Sequence, residues 1–328
     1  MFTPPTTKTT TTSRGYKYTY LHSPAQPGKP TLLLIHGFPS TAHDWRFQIP
    51  YFTAKGYGII APDMLAYGET DKPAEPEAYV GSKLARDLVD IVQHENAERV
   101  IAVGHDWGAL PTTYLAALHQ DRFAGFVFLA VGFQLTRGFD FEKVTAHLKQ
   151  ICGTEIYGYW DFFNKEDAAG IIEKNLDSLL DLLYVKEHEL WKTILNPLGA
   201  IDTFISEGKR TAAAEYLTEE DRSILRTSLS KGGLTAPLNY YKATYRGLQD
   251  TDNLGALTNV KVKKPVFYLG GTRDYVCRLE MQEPDLKKYC EDVRIEVLET
   301  GHWVHMEAAE RVNATIEGWA GEKGLLDV

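Results

Sequence analysis

Five residues, Gly104-His105-Asp106-Trp107-Gly108, follow the apolar run Val100-Ile101-Ala102-Val103 and precede a helical stretch carrying Leu110, Tyr114, Leu115 and Leu118. Small residues flanking a central acid, between a strand and a helix, describe a turn sharp enough to hold one side chain in the open. The positive end of the following helix lies beside it. A serine in such a turn attacks carbonyl carbon. A carboxylate suits displacement at a saturated carbon instead, and leaves an alkyl ester on the protein. Esterase, lipase and peptidase chemistry is thereby disfavoured. An aspartate before a helix also serves as an N-cap, so Asp106 needs partners before it means more.

Two partners stand late in the chain. Leu269-Gly270-Gly271-Thr272-Arg273-Asp274 puts an acid in a loop after one apolar strand, and Glu299-Thr300-Gly301-His302-Trp303 puts a histidine in the loop after the next. Nucleophile, acid, histidine is a chain order in which Asp274 fixes the tautomer of His302 and His302 takes a proton from water. Early in the chain, His36-Gly37-Phe38-Pro39 follows another apolar strand. The backbone amides of Phe38 and Trp107 are the expected donors to an oxyanion formed when water attacks an Asp106 ester. His36 and His105 are read as structural and stay outside the catalytic set.

These loops need a sheet to bring them together. Leu32-Leu33-Leu34-Ile35, Gly58-Ile59-Ile60-Ala61, residues 99–103 and residues 125–131 are short apolar runs ending at Gly, Pro or Asp, as buried parallel strands do. Between them Leu84, Leu88, Ile91 and Val92 form one apolar stripe at helical spacing. From about 133 to 247 only helical patterns occur, including Ile172 to Leu183 and Ala212 to Ser230, the latter carrying a capping signal at Thr218-Glu219-Glu220-Asp221. Strands return at 265–269 and 293–298, followed by a helix bearing Met306, Ala309, Val312, Ile316 and Trp319. The expectation is an α/β fold with a mostly parallel central sheet flanked by helices and a helical cap inserted between core strands. Its divisions are a flexible tail over 1–14, core over 15–132, cap over 133–247 and core again over 248–328.

Composition narrows the partners. A formal net charge of −9 over 328 residues argues against nucleic acid. Three scattered cysteines, none in a C-x-x-C pair, argue against a disulfide framework or a zinc motif and fit a cytoplasmic protein. No apolar run reaches 18 residues, so no membrane span is expected. A monomer or homodimer fits equally.

HGFP at 36–39, GHDWG at 104–108 and GHW at 301–303 resemble the motifs of the soluble epoxide hydrolases of the α/β-hydrolase fold. The likeness runs from about Gly15 to Trp319. In the cap, Tyr216-Leu217-Thr218-Glu219-Glu220-Asp221 and Gly232 to Tyr241 are similar to that family's signature. The resemblance implies that Tyr241 is one of two tyrosines that hydrogen-bond an epoxide oxygen. The second lies in Tyr157 to Phe163; aligned on the Phe162-Phe163 pair it is Tyr159, with Tyr157 in reserve. It also implies a substrate site formed by Phe38, Trp107, Tyr159, Trp160, Tyr241 and Trp303. Some relatives place the acid after the sixth strand, but Gly132-Phe133-Gln134-Leu135 has no carboxylate, which leaves Asp274. One departure is Leu65-Ala66, where many members have Arg-Gly.

The implied reaction converts an epoxide and water to a vicinal diol with no metal or organic cofactor. Aromatic content in the cap (Trp160, Phe162, Phe163, Trp191) suggests an apolar substrate. A haloalkane-type dehalogenase would share Asp106, His302 and Asp274, but such enzymes usually carry Asn where Phe38 stands and lack the paired tyrosines. A biosynthetic cyclase would dispense with His302, and a non-catalytic receptor would tolerate loss of any of these groups. Labelled water separates the cyclase from the hydrolase, since only the hydrolase puts its oxygen in the diol.

Overall fold

The computed structural model describes residues 4–135, 138–251, 257 and 259–326. Two strands, β1 (Thr6–Thr11) and β2 (Lys17–Ser23), open the chain and pair antiparallel. Then β3 (Thr31–Ile35), α1 (Gln48–Ala54), β4 (Gly58–Pro62), α2 (Gly81–His94), β5 (Val100–His105), α3 (Ala109–Leu118) and β6 (Phe123–Leu129) alternate. A helical segment follows, made of α4 (Phe141–Cys152), α5 (Gly158–Asn164), α6 (Ala168–Lys174), α7 (Leu176–Leu183), α8 (Ala200–Ser206), α9 (Glu219–Gly232) and α10 (Thr235–Tyr245). Alternation resumes with β7 (Val266–Gly271), α11 (Leu279–Tyr289), β8 (Val293–Leu298), α12 (Val304–Glu307) and α13 (Ala309–Glu322).

The eight strands form one sheet in the order β1-β2-β4-β3-β5-β6-β7-β8, parallel from β4 to β8. Alternate residues of the apolar runs divide between its faces, as a period of two requires. Leu33, Ile35, Ile60, Ala102, Phe126 and Phe128 point to the face carrying α2, α3 and the helical segment. Leu32, Leu34, Ile59, Ile101, Val103, Val127 and Leu129 point to the other, where Phe52 of α1 and Val312, Ile316 and Trp319 of α13 cover them. Burying a side chain of this size contributes about 1.5–3 kcal/mol. The continuous apolar runs are therefore needed on both faces.

Three expectations are corrected. The tail over 1–14 contains a strand: residues 1–3 lie outside the described residues, but Thr6 to Thr11 pair in register with His22 to Lys17. Its threonines read as polar filler, yet they are β-branched and favour extended backbone. The turn back to β2 is closed by Gly15 at φ 84°. Lys8 adds an ion pair to Glu95 at 2.6 Å.

The helix expected over Ala212 to Ser230 begins only at Glu219. Thr218 and Asp221 form a reciprocal capping box there. Before it, Ala213 bridges Val185 and the Ala214 amide bonds the Tyr184 carbonyl, which holds that stretch extended. The Ile172 to Leu183 pattern is two helices, α6 and α7, broken at Asn175.

Candidate active site

The carboxyl ends of β3, β5, β7 and β8 share one edge of the sheet, and the four loops leaving them carry Phe38, Asp106, Asp274 and His302. Parallel strands emptying at one edge create this convergence. Asp106 sits directly after β5 with φ 51°, a left-handed backbone that costs a non-glycine residue on the order of 1–3 kcal/mol. A Cβ at Gly108 would overlap the carbonyl of Ile35, so the turn closes on β3 only with glycine there. The Asp106 side chain caps no helix. Its Oδ1 accepts the Phe38 amide at 2.8 Å, and its Oδ2 lies 3.4 Å from Nε2 of His302.

His302 donates from Nδ1 to Oδ2 of Asp274 at 2.7 Å. Asp274 Oδ1 accepts the amides of Val276 and Cys277 at 2.9 and 2.8 Å, so both its oxygens are engaged. Two backbone bonds, Thr272 to Leu298 and Arg273 to Thr300, fasten the acid loop to the histidine loop.

The charges support one another. Burial alone would lower the basicity of His302, but the charge of Asp274 and the bonds to Asp106 and Asp274 outweigh it, and its pKa stands well above the ordinary value. Burial would raise Asp106; its bond to His302 and the histidine's charge overcome that, and the carboxyl is held below its usual range. Asp274 is lowered likewise, against burial, by the charge and bond of His302 and by its two amides. The arrangement keeps two carboxylates ionised about one histidine.

His36 and His105 have other occupations. His36 Nδ1 donates to the Gly37 carbonyl and Nε2 accepts the Met64 amide, each at 2.9 Å, and burial lowers its pKa to about 4. His105 donates from Nε2 to the His302 carbonyl at 3.0 Å, and burial lowers it to about 3. One ring fixes the loop of Phe38, the other the loop of His302.

Asp106 opens onto a hollow of about 260 Å³. A family profile described as alpha/beta hydrolase fold matches residues 30–150. "Epoxide hydrolase 3" of Siraitia grosvenorii is 28% identical over 313 residues, covering 88% of this chain and 90% of that protein. "Epoxide hydrolase A" of Mycobacterium tuberculosis is 27% identical over 306 residues, covering 89% and 90%. The crystal structure of Epoxide Hydrolase A from Mycobacterium thermoresistibile superposes with a TM-score of 0.79 at 26% identity, covering 96% of this chain and 98% of that one. The chain has the α/β-hydrolase fold and is similar over most of its length to epoxide hydrolases that share it. It is a hydrolase.

The tyrosines that the family resemblance singles out lie around this hollow. Tyr157, Tyr159 and Trp160 line it. Tyr241 does not; its ring is enclosed by Trp107 at 4.8 Å, Phe38 at 5.2 Å, Trp160 at 5.5 Å and Tyr159 at 5.9 Å. Burial, and then the charge of Asp106, raise its phenol well above the usual value, so it stays protonated. Burial does the same for Tyr159. Trp107 lines the hollow, whereas Phe38 brings its amide and packs its ring on Phe163 and Tyr241.

Trp303 is a correction. It does not line the hollow; its indole donates to the Leu183 carbonyl at 2.9 Å and its ring stacks on Tyr184 at 4.2 Å, joining the histidine loop to α7. Its place beside His302 in sequence suggested the site, but the chain turns it the other way. Val144, Leu148, Cys277, Met281 and Asp285 also line the hollow and were not singled out. The signal available was the i, i+4 spacing of Val144 with Leu148 and of Met281 with Asp285. Asp274, Cys277 and His302 bring metal-type donor atoms within 4.8 Å of one another, the one such group among the described residues. Two of the three are already bonded to each other.

Proposed function

We propose that the chain hydrolyses apolar epoxides to vicinal diols through an ester on Asp106, with residues 133–247 acting as a cap over the core. The observation that carries this reading is the unequal setting of the two oxygens of Asp106, a residue that lines the hollow: Oδ1 is held by the Phe38 amide and Oδ2 lies 3.4 Å from Nε2 of His302. Oδ2 attacks one epoxide carbon while Tyr159 and Tyr241 hydrogen-bond the ring oxygen and bring it a proton as the C–O bond breaks. A poor alkoxide leaving group needs that help, and protonated phenols supply it.

Ester formation removes the charge of Asp106. One of the influences that raises His302 is then gone, and its basicity falls. The proton it loses balances the proton taken up by the ring oxygen. Neutral His302, oriented by Asp274, next takes a proton from water, which attacks the ester carbonyl carbon. The oxyanion forms on Oδ1, where the Phe38 amide already points, with the Trp107 amide as second donor. Collapse releases the diol and restores Asp106.

The names of the relatives at 27–28% identity support epoxides as the substrate class. No helix among the described residues is long and apolar enough to cross a membrane, and the three cysteines are unpaired, which fits the cytoplasmic placement proposed here.

The test is intact-protein mass spectrometry of His302→Gln after brief mixing with styrene oxide, with wild type turned over in oxygen-18 water. A variant mass raised by one substrate, and label in Asp106 of the wild type, are the expected results. Diol formation by the variant at the wild-type rate would remove His302 from the mechanism. Halide release from a haloalkane with no epoxide turnover would move the chain to the dehalogenases.

A further inference from the structure

The hollow beside Asp106 is walled mostly by apolar and aromatic side chains, with Thr113 and Gln134 as neutral polar ones, and the only other charged residue lining it among the described residues is also an acid, Asp285. Asp285 lies on α11 one turn beyond Met281, facing α4. Burial pushes its carboxyl up, with Lys288 partly offsetting this, and no ion pair is formed with it among the described residues. Lys288 itself lies over the Tyr289 ring at 4.6 Å.

A second cleft adjoins the first at Tyr157, which lines both. Among the described residues its charged lining is Asp140, Glu142, Glu155 and Asp161 against one cation, Lys149, which is bonded to Glu155 at 3.3 Å, while Asp140 is paired with Lys143 at 2.8 Å. An epoxide tail that carries a carboxylate meets no cation on the wall of the hollow among the described residues, and meets charge of its own sign.

Resting on the function proposed above, we infer that this enzyme selects uncharged epoxides and rejects those bearing a carboxylate, with Asp285 as a specificity-determining residue. Epoxides of free fatty acids thus fall outside its substrate class. The epoxide reaches Asp106 along the apolar wall, and the far end of the molecule takes its place near Asp285.

The test compares styrene oxides carrying, at the para position, a methyl ester or a carboxylate, with diol formation followed in low-salt buffer. For the wild-type enzyme kcat/KM should favour the ester by about tenfold, the factor expected for like charges roughly 10 Å apart in a partly screened site. Added salt should narrow the gap. Asp285→Asn should shrink the preference several-fold through KM rather than kcat, and Asp285→Glu should restore it. A merely structural role for Asp285 would change both substrates alike.

Equal kcat/KM for the two substrates in wild type overturns the inference while leaving epoxide hydrolysis intact. So does an unchanged preference in Asp285→Asn when its melting temperature matches wild type. Failure to hydrolyse either substrate would instead overturn the functional reading, and this inference with it.

Discussion

The backbone amide of Phe38 donates to Asp106 Oδ1 at 2.8 Å across the mouth of two neighbouring strands. This bond makes the two oxygens of one carboxylate chemically different, since Oδ2 is left facing Nε2 of His302 at 3.4 Å. The closeness depends on Gly37, where a Cβ would come within 2.6 Å of the Asp106 Cβ and of the Trp107 amide nitrogen.

Gly37→Ala should therefore push the loop off Asp106 while leaving the core packed. An oxyanion donor lost from such a site costs about a hundredfold or more in kcat. Steady-state kinetics with styrene oxide, together with a melting curve, would read this. Unchanged kcat in a folded variant would show that the Phe38 amide does not matter to the reaction.

His305 offers a test through stability. Its ring is fully buried against His105 at 4.3 Å and Trp45 at 4.7 Å, and neither ring nitrogen has a hydrogen-bond partner among the described residues. Burial, followed by the influence of His105, holds its pKa well below the ordinary 6.5. The folded ring is thus neutral where the unfolded one takes a proton. Its contribution to stability is present above pH 6.5 and is lost as pH falls below that value. His305→Phe keeps the stacking and removes both unpartnered nitrogens, so it should stabilise the fold by about 1–2 kcal/mol near pH 7.5. Below pH 6.5 the variant's advantage should widen by up to about 1.4 kcal/mol per pH unit. Urea unfolding of both proteins from pH 7.5 to 5 measures this, and an advantage that stays constant would contradict a neutral buried His305.

Much of this was legible in the residues themselves. The five buried strands β3 to β7 and the turn at Asp106 announce themselves because burial on both sheet faces demands unbroken runs, and a sharp turn demands small neighbours. Asp274 and His302 were legible from chain order. What was not legible depended on contacts distant in sequence. The β1 strand is polar and gains its order by pairing with β2 and through Glu95, 87 residues away from Lys8. Trp303 shares a motif with His302 yet its indole reaches Leu183, a partner no local pattern names. Asp285 looks like any solvated acid on a helix until α11 is set against α4.

The choice between Tyr157 and Tyr159 was left open by sequence spacing, and the structure sharpens it without making both equal. Both line the hollow, but the Tyr159 ring is 5.9 Å from that of Tyr241, edge-on. Tyr157 instead stacks on Trp160 at 4.8 Å, and burial, followed by the influence of Cys277 and Asp274, raises its phenol. Two phenols that bond one epoxide oxygen must converge, which favours Tyr159 with Tyr241. Single-turnover mixing with styrene oxide, followed by tryptophan fluorescence, should show ester formation slowed about ten- to a hundredfold in Tyr159→Phe and in Tyr241→Phe. Hydrolysis of the ester should change much less, because its proton moves through His302. Tyr157→Phe should slow ester formation less than threefold, roughly the loss of one ordinary hydrogen bond of small net value. A larger defect in Tyr157→Phe than in Tyr159→Phe would transfer the role to Tyr157 and move the epoxide oxygen toward the Asp274 side of the hollow.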